Sequence, residues 1–122
     1  LLRENDETMG LINRARLQRM KHGSFLINLA RGGVIESLDP IYDMLVNGHL
    51  RGAALDVFLI EPPDHTHPLF SLQNCLVSPH AMATSEGAMT RIYESMANDM
   101  AAILNGATPE FVVNPETLAL RI

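Results

Sequence analysis

Three short apolar runs, at residues 24–30, 53–58 and 75–78, alternate with segments of helical character, and this alternation constrains the fold more than any other feature. In the first run Phe25, Leu26, Ile27 and Leu29 follow almost without interruption. A strand apolar on both faces belongs inside a parallel sheet covered by helices. Strands that alternate with helices give the α/β class.

The helical segments carry their own start and stop signals. Asn13 is suited to cap a helix running to Met20, with Leu17 and Met20 inward and Gly23 as the stop. A Gly32-Gly33 turn follows the first strand. Ser37 is expected to cap the next helix, and Pro40 falls in its first turn, where a missing N–H costs nothing. Ile41, Leu45 and Val46 form the expected inner face, and Gly48 ends it. After a proline-rich loop at residues 61–68 and the third strand, the longest helix is expected over residues 85–105, with Gly106 beyond its end. Its stripe of Met89, Ile92, Tyr93, Met96, Met100 and Ile103 has the spacing of a core-facing side. Residues 1–108 therefore form the α/β unit, and residues 109–122 an extended tail.

Composition excludes several classes of function. At 122 residues the chain supports one domain, and 47% hydrophobic with 19% charged residues suits a folded, water-soluble protein. A net charge of −5 lacks the basic face that nucleic acid or an anionic membrane requires. The single cysteine, Cys75, forms no internal disulfide, and no apolar run is long enough to span a bilayer. A cytoplasmic setting is expected. The chain begins on Leu1, and no G-x-G-x-x-G phosphate turn occurs in it. The expectation is the C-terminal half of a larger nucleotide-binding domain.

Ligands of an open parallel sheet bind beyond the carboxyl ends of its strands. There the sequence places Arg31 after the first strand, Asp56 and Glu61 at and after the second, and Pro79-His80 after the third. Arginine grips a carboxylate through a planar fork of donors. Histidine exchanges a proton near neutrality, and a neighbouring carboxylate stabilises and orients its imidazolium. Beside a hydride carrier this set interconverts a 2-oxoacid and a 2-hydroxyacid. A structural ion-pair cluster would use the same residues.

The motifs Asp6-Glu7-Thr8-Met9-Gly10-Leu11-Ile12, Met20-Lys21 and Phe25 through Glu36 resemble the signature of the D-isomer-specific 2-hydroxyacid dehydrogenases. So do Gly48 through Phe58, Glu61-Pro62, Pro79-His80, Gly106, Pro109 and Val113-Asn114-Pro115. The likeness covers almost the whole chain and points to phosphoglycerate dehydrogenase-like or glyoxylate and hydroxypyruvate reductase-like members. It implies half of a Rossmann-like parallel sheet with flanking helices, binding NAD or NADP and a small 2-oxoacid or 2-hydroxyacid. It implies that Arg31 binds the substrate carboxylate and that His80, paired with Glu61, is the acid/base. Asp56, His80, Arg31, the backbone of Leu29 and Ala30, and residues up to Ala83 would line the cofactor. Glu61 also sets the chain apart from formate dehydrogenases, where glutamine is expected. Arg3 stands in place of a usual proline, and Met82 in place of glycine or another small residue beside the substrate.

Other signals carry less. His65 and His67 with Asp64 lack the further ligands of a closed metal site, so no metal is expected. Arg14, Arg16, Arg19 and Lys21 read as a solvated face, His22 and His49 as helix-end residues, and Cys75 as a small buried hydrophobe. Two rivals to a dehydrogenase are a non-catalytic scaffold of the same fold and an inactive truncated domain. A sheet lacking its other half exposes an apolar edge, so a homodimer is expected.

Overall fold

Three strands form at or near the predicted apolar runs: β1 at Ser24–Asn28, β2 at Leu50–Leu55 and β3 at Cys75–Val77. In this computed structural model, which describes residues 2–120, they make one sheet of order β1-β2-β3 with parallel neighbours throughout. Parallel neighbours need crossovers. Helix α2 (Asp39–Val46) carries the chain from β1 to β2, and a 3-10 turn at Pro68–Ser71 lies between β2 and β3. Helix α1 (Arg14–Gln18) precedes the sheet, its first turn closed by Asn13, whose side chain accepts from the Arg16 N–H. Asn28 pairs with Leu55, and Leu55 with Val77, so all three strands end at one level. That level is the edge from which Arg31, Asp56 and His80 emerge.

The core lies on one side of the sheet. Leu17, Ile41, Leu50 and Leu69 are fully buried there, joined by Met44, Leu45, Leu55 and Phe58. Removing a leucine side chain from water contributes about 1.5–3 kcal/mol. Phe25 and Ile27 of β1 and Leu76 of β3 point the other way and are exposed. The expectation of strands apolar on both faces therefore corrects to strands buried on one, because α1 and α2 form a single covering layer.

Local boundaries shift for identifiable reasons. The residue before α2 is Leu38 rather than Ser37, and no side chain caps it; Asp39 and Pro40 occupy the first turn instead. Ile41, Met44 and Leu45 make its inner face, while Val46 is exposed. One residue on a helix is a rotation of roughly 100°, which takes Val46 off the stripe. Strand β2 begins at Leu50 and stops before Asp56, three residues ahead of the expected range, since its ladder follows β1.

Contacts divide the chain into two compact units between Met82 and Ala83. The second contains helix α3 (Glu86–Leu104), started by the Ser85 side chain accepting from the Ala88 N–H and followed by Gly106 at a positive φ. None of α3 is buried, and Ile92, Tyr93, Met96, Met100 and Ile103 are exposed. This corrects the core reading of that stripe: periodicity reports which face is apolar, and a unit of one helix and a tail holds no second layer to cover it. In the tail Pro115–Leu120 winds into a 3-10 helix where an extended run was expected. No helix among the described residues is long and apolar enough to cross a membrane.

Candidate active site

The loop after β1 is shaped by a residue the motif reading left without a role. Asn28 is buried; its side-chain amide donates to the Arg31 carbonyl (3.0 Å) and its side-chain oxygen accepts from the Ala30 N–H (3.1 Å). These bonds close a turn that leaves the Leu29–Ala30 backbone at the sheet edge. Gly32 then passes against the next loop so closely that a Cβ there would lie 1.9 Å from the Phe58 carbonyl. The loops after β1 and β2 are thereby pressed together. Arg31 itself is exposed, its guanidinium donating to the Ala30 carbonyl at 2.7 Å. Among the described residues it forms no ion pair.

Glu61 and His80 meet directly. The His80 Nδ1 lies 3.0 Å from Glu61 Oε2, and the Phe58 N–H donates to Glu61 Oε1 at 2.9 Å. The His80 ring first, and then the Phe58 amide, hold the Glu61 carboxyl below its usual pKa. An ionised carboxylate only accepts, so Nδ1 carries the proton and Nε2 is left to face a reacting group. The pair is partly exposed. It borders a cavity of about 430 Å³, otherwise walled mainly by Phe58, Phe70, Val77 and Pro79.

Among the described residues, Asp56 is the buried charged one, at 2% exposure. Its Oδ1 accepts from the Ser78 hydroxyl (2.5 Å) and the Ala81 N–H (2.8 Å), and its Oδ2 from the Met82 N–H (3.0 Å). The Ser78 hydroxyl and then the two amides hold its carboxyl below the ordinary range against the opposing effect of burial. Its backbone carbonyl takes the His80 N–H at 2.8 Å.

The structure thus joins two members of the predicted catalytic set, Glu61 and His80, and sets Arg31 on the same edge without contact to them. Asp56 is joined to the His80 turn, while Ala83 belongs to the second unit. Sequence reasoning missed Asn28, Ser78 and the Phe58 amide. The signal available was a polar residue ending an apolar run, at Asn28 and at Ser78. Two of the set-aside histidines have structural partners: His67 pairs with Asp39 and accepts from the Leu69 N–H, and the His49 ring meets the Leu17 carbonyl. Burial pushes the Cys75 thiol up, away from nucleophilic character.

Comparison with known proteins identifies the family. A family model described as the D-isomer specific 2-hydroxyacid dehydrogenase NAD binding domain matches residues 1–82. A glyoxylate reductase of Thermofilum pendens is 40% identical over 115 residues, which cover 94% of this chain and 34% of the relative. A D-3-phosphoglycerate dehydrogenase of Archaeoglobus fulgidus is 33% identical, over 88% of this chain and 20% of its own length. The chain thus spans about a third or less of these relatives. The crystal structure of the TT0316 protein from Thermus thermophilus superposes with a TM-score of 0.87 at 35% identity, over 93% of this chain and 36% of that one. A D-isomer specific 2-hydroxyacid dehydrogenase from Xanthobacter autotrophicus Py2, in complex with NADPH and MES, gives 0.74 at 31% identity, over 95% and 47%. With its parallel sheet, its aligned strand ends and its match over residues 1–82, the chain belongs to the D-isomer specific 2-hydroxyacid dehydrogenases, as part of their NAD-binding domain.

Proposed function

We propose that the chain supplies the acid/base and carboxylate-binding residues of an NAD- or NADP-dependent reductase of small 2-oxoacids, which also runs in reverse on 2-hydroxyacids. The observation that carries this reading is the Glu61–His80 hydrogen bond, at the sheet edge where Arg31 also emerges. Arg31 grips the substrate carboxylate in a bidentate fashion, a role for which its single bond to Ala30 leaves donors free. The His80 Nε2 delivers a proton to the substrate's carbonyl oxygen, and in the reverse direction removes it from the hydroxyl. Glu61 holds the ring through Nδ1 and balances the imidazolium charge. When bound, the nicotinamide cofactor supplies or accepts the hydride at the adjacent carbon.

The residues present fit the nicotinamide end of such a cofactor. The Leu29–Ala30 backbone borders an apolar hollow of about 270 Å³, which suits a flat ring. Asp56 follows Leu55, the register partner of Asn28, and has acceptor capacity left on Oδ2. No G-x-G-x-x-G turn for the pyrophosphate occurs in these 122 residues, so we infer that the chain alone turns over negligibly. A second copy is its proposed partner, because β1 is an edge strand with Phe25 and Ile27 exposed. Light scattering that shows only monomer counts against that dimer.

The decisive test is His80→Ala and Glu61→Gln in the protein that carries this chain, assayed with glyoxylate and with both NADH and NADPH. His80→Ala is expected to lose at least about a hundredfold in kcat, the scale of general acid/base catalysis. Turnover retained at the wild-type rate overturns the reading.

A further inference from the structure

We propose that Ser78 is a positioning residue for His80 and acts through Asp56. This rests on the acid/base reading of His80 given above. His80 has a φ of 54°, the left-handed region that a non-glycine residue occupies only when its surroundings hold it there. The hold is Asp56. It receives three successive N–H groups of the turn: His80 on its backbone carbonyl, Ala81 on Oδ1 and Met82 on Oδ2. Successive amides converging on one acidic group form an anion-binding nest, and here the anion is built in.

That carboxylate needs a fixed orientation to serve two amides with two different oxygens. Ser78 supplies it. Its N–H donates to the Leu55 carbonyl at 3.0 Å, so its backbone is locked into the β2–β3 ladder, and its hydroxyl reaches Asp56 Oδ1 at 2.5 Å. Leu55 pairs with Val77, so the next residues, Asp56 and Ser78, stand side by side across the two strands. His80 is thus held twice. Glu61 holds its ring through Nδ1, and Asp56 holds its turn, through its carbonyl at His80 and through the carboxylate that Ser78 orients at Ala81 and Met82. His80 in turn favours the ionised form of both Glu61 and Asp56. With the hydroxyl gone, the Asp56 carboxylate keeps the two turn amides but loses its anchor beside β3, and the template for the turn loosens.

The experiment is amide hydrogen exchange by NMR on the full chain, with Ser78→Ala and Ser78→Thr. Ser78→Ala is expected to speed exchange at Ala81 and Met82 by about tenfold, the effect of one hydrogen bond to a charged group on an opening equilibrium. The Tyr42 amide of α2 and the Asn47 amide just after it should keep their wild-type rates. Ser78→Thr keeps the hydroxyl, and Ser78 is exposed enough to admit a methyl, so it should restore protection. In the dehydrogenase that carries the chain, kcat should fall by a similar factor in Ser78→Ala, and Ser78→Thr should restore it. Should Ser78→Ala fold poorly, Ser78→Cys keeps the size with only a weak donor, and the same local pattern is required of it. Exchange that is unchanged, raised equally in α2, or not restored by threonine overturns the proposal. His80→Ala separates the two ideas: retained turnover there ends the acid/base reading, while exchange at Ala81 and Met82 still decides the clamp.

Discussion

Replacing Gly32 by alanine tests whether the close approach of two loops builds the site. An ideal Cβ at Gly32 lies 1.9 Å from both the carbon and the oxygen of the Phe58 carbonyl and 2.5 Å from the Leu59 nitrogen. Comfortable carbon contacts begin near ~3.5 Å, so the loops must part by roughly 1.5 Å. All three obstructing atoms are backbone, which cannot rotate aside as a side chain would. Overpacking of this kind costs about 3 kcal/mol, at the upper end of the usual range. Alanine also stiffens the unfolded chain, which returns about 0.4–1 kcal/mol. The net loss is about 2 kcal/mol, which lowers a urea midpoint by about 1.3 M if the slope is near 1.5 kcal/mol/M. The same displacement moves the Phe58 N–H away from Glu61 Oε1, now at 2.9 Å, and a hydrogen bond is lost beyond ~3.5 Å. Urea unfolding followed by circular dichroism reads the stability. Gly48→Ala is the control: a Cβ there meets nothing within 4 Å, but φ is +77°, so it costs about 1 kcal/mol through the backbone alone. If Gly32→Ala is no more damaging than Gly48→Ala, the argument from close approach is wrong.

Further outcomes follow from the core and the carboxylates. Leu50→Ala removes a fully buried side chain and should cost about 2–5 kcal/mol, whereas Leu76→Ala, on the exposed face, should cost under about 0.5 kcal/mol in the same urea assay. Asp56 and Glu61 titrate below their ordinary values of 3.8 and 4.5, so their stabilisation is present above those values and is lost as pH falls through the depressed ones. A urea midpoint that stays constant from about pH 6 to about pH 3 would contradict this, and Asp56→Asn should flatten the acid limb. Glu61→Gln keeps the size but loses the charge facing His80; it should lower kcat at least about tenfold with little change in the urea midpoint, since the pair is partly exposed. Equal loss of stability and turnover would mean that Glu61 serves the fold rather than the reaction.

The positions of Arg31, Asp56 and His80 were legible in the sequence because a parallel sheet brings the ends of its strands to one level, and each residue lies near the end of an apolar run. That reasoning needs only the order of the elements. It works less well where the answer depends on what lies opposite. A short apolar run such as residues 24–30 looks the same whether one or both faces are covered, so the exposure of Phe25 and Ile27 was hidden. The same limit applies to α3, whose apolar stripe is real while its burial is not. Val46 was misplaced by one position, which is enough on a helix. Ser78 and Asn28 were passed over for a subtler reason: their partners lie on another strand or across a turn, and pairing is invisible until the register is known. Once Leu55 is seen opposite Val77, Asp56 must neighbour Ser78, and a buried carboxylate beside a hydroxyl has an obvious hydrogen bond to make. Motif and strand order therefore identify the groups gathered at the sheet edge, while strand register identifies the groups that hold them still.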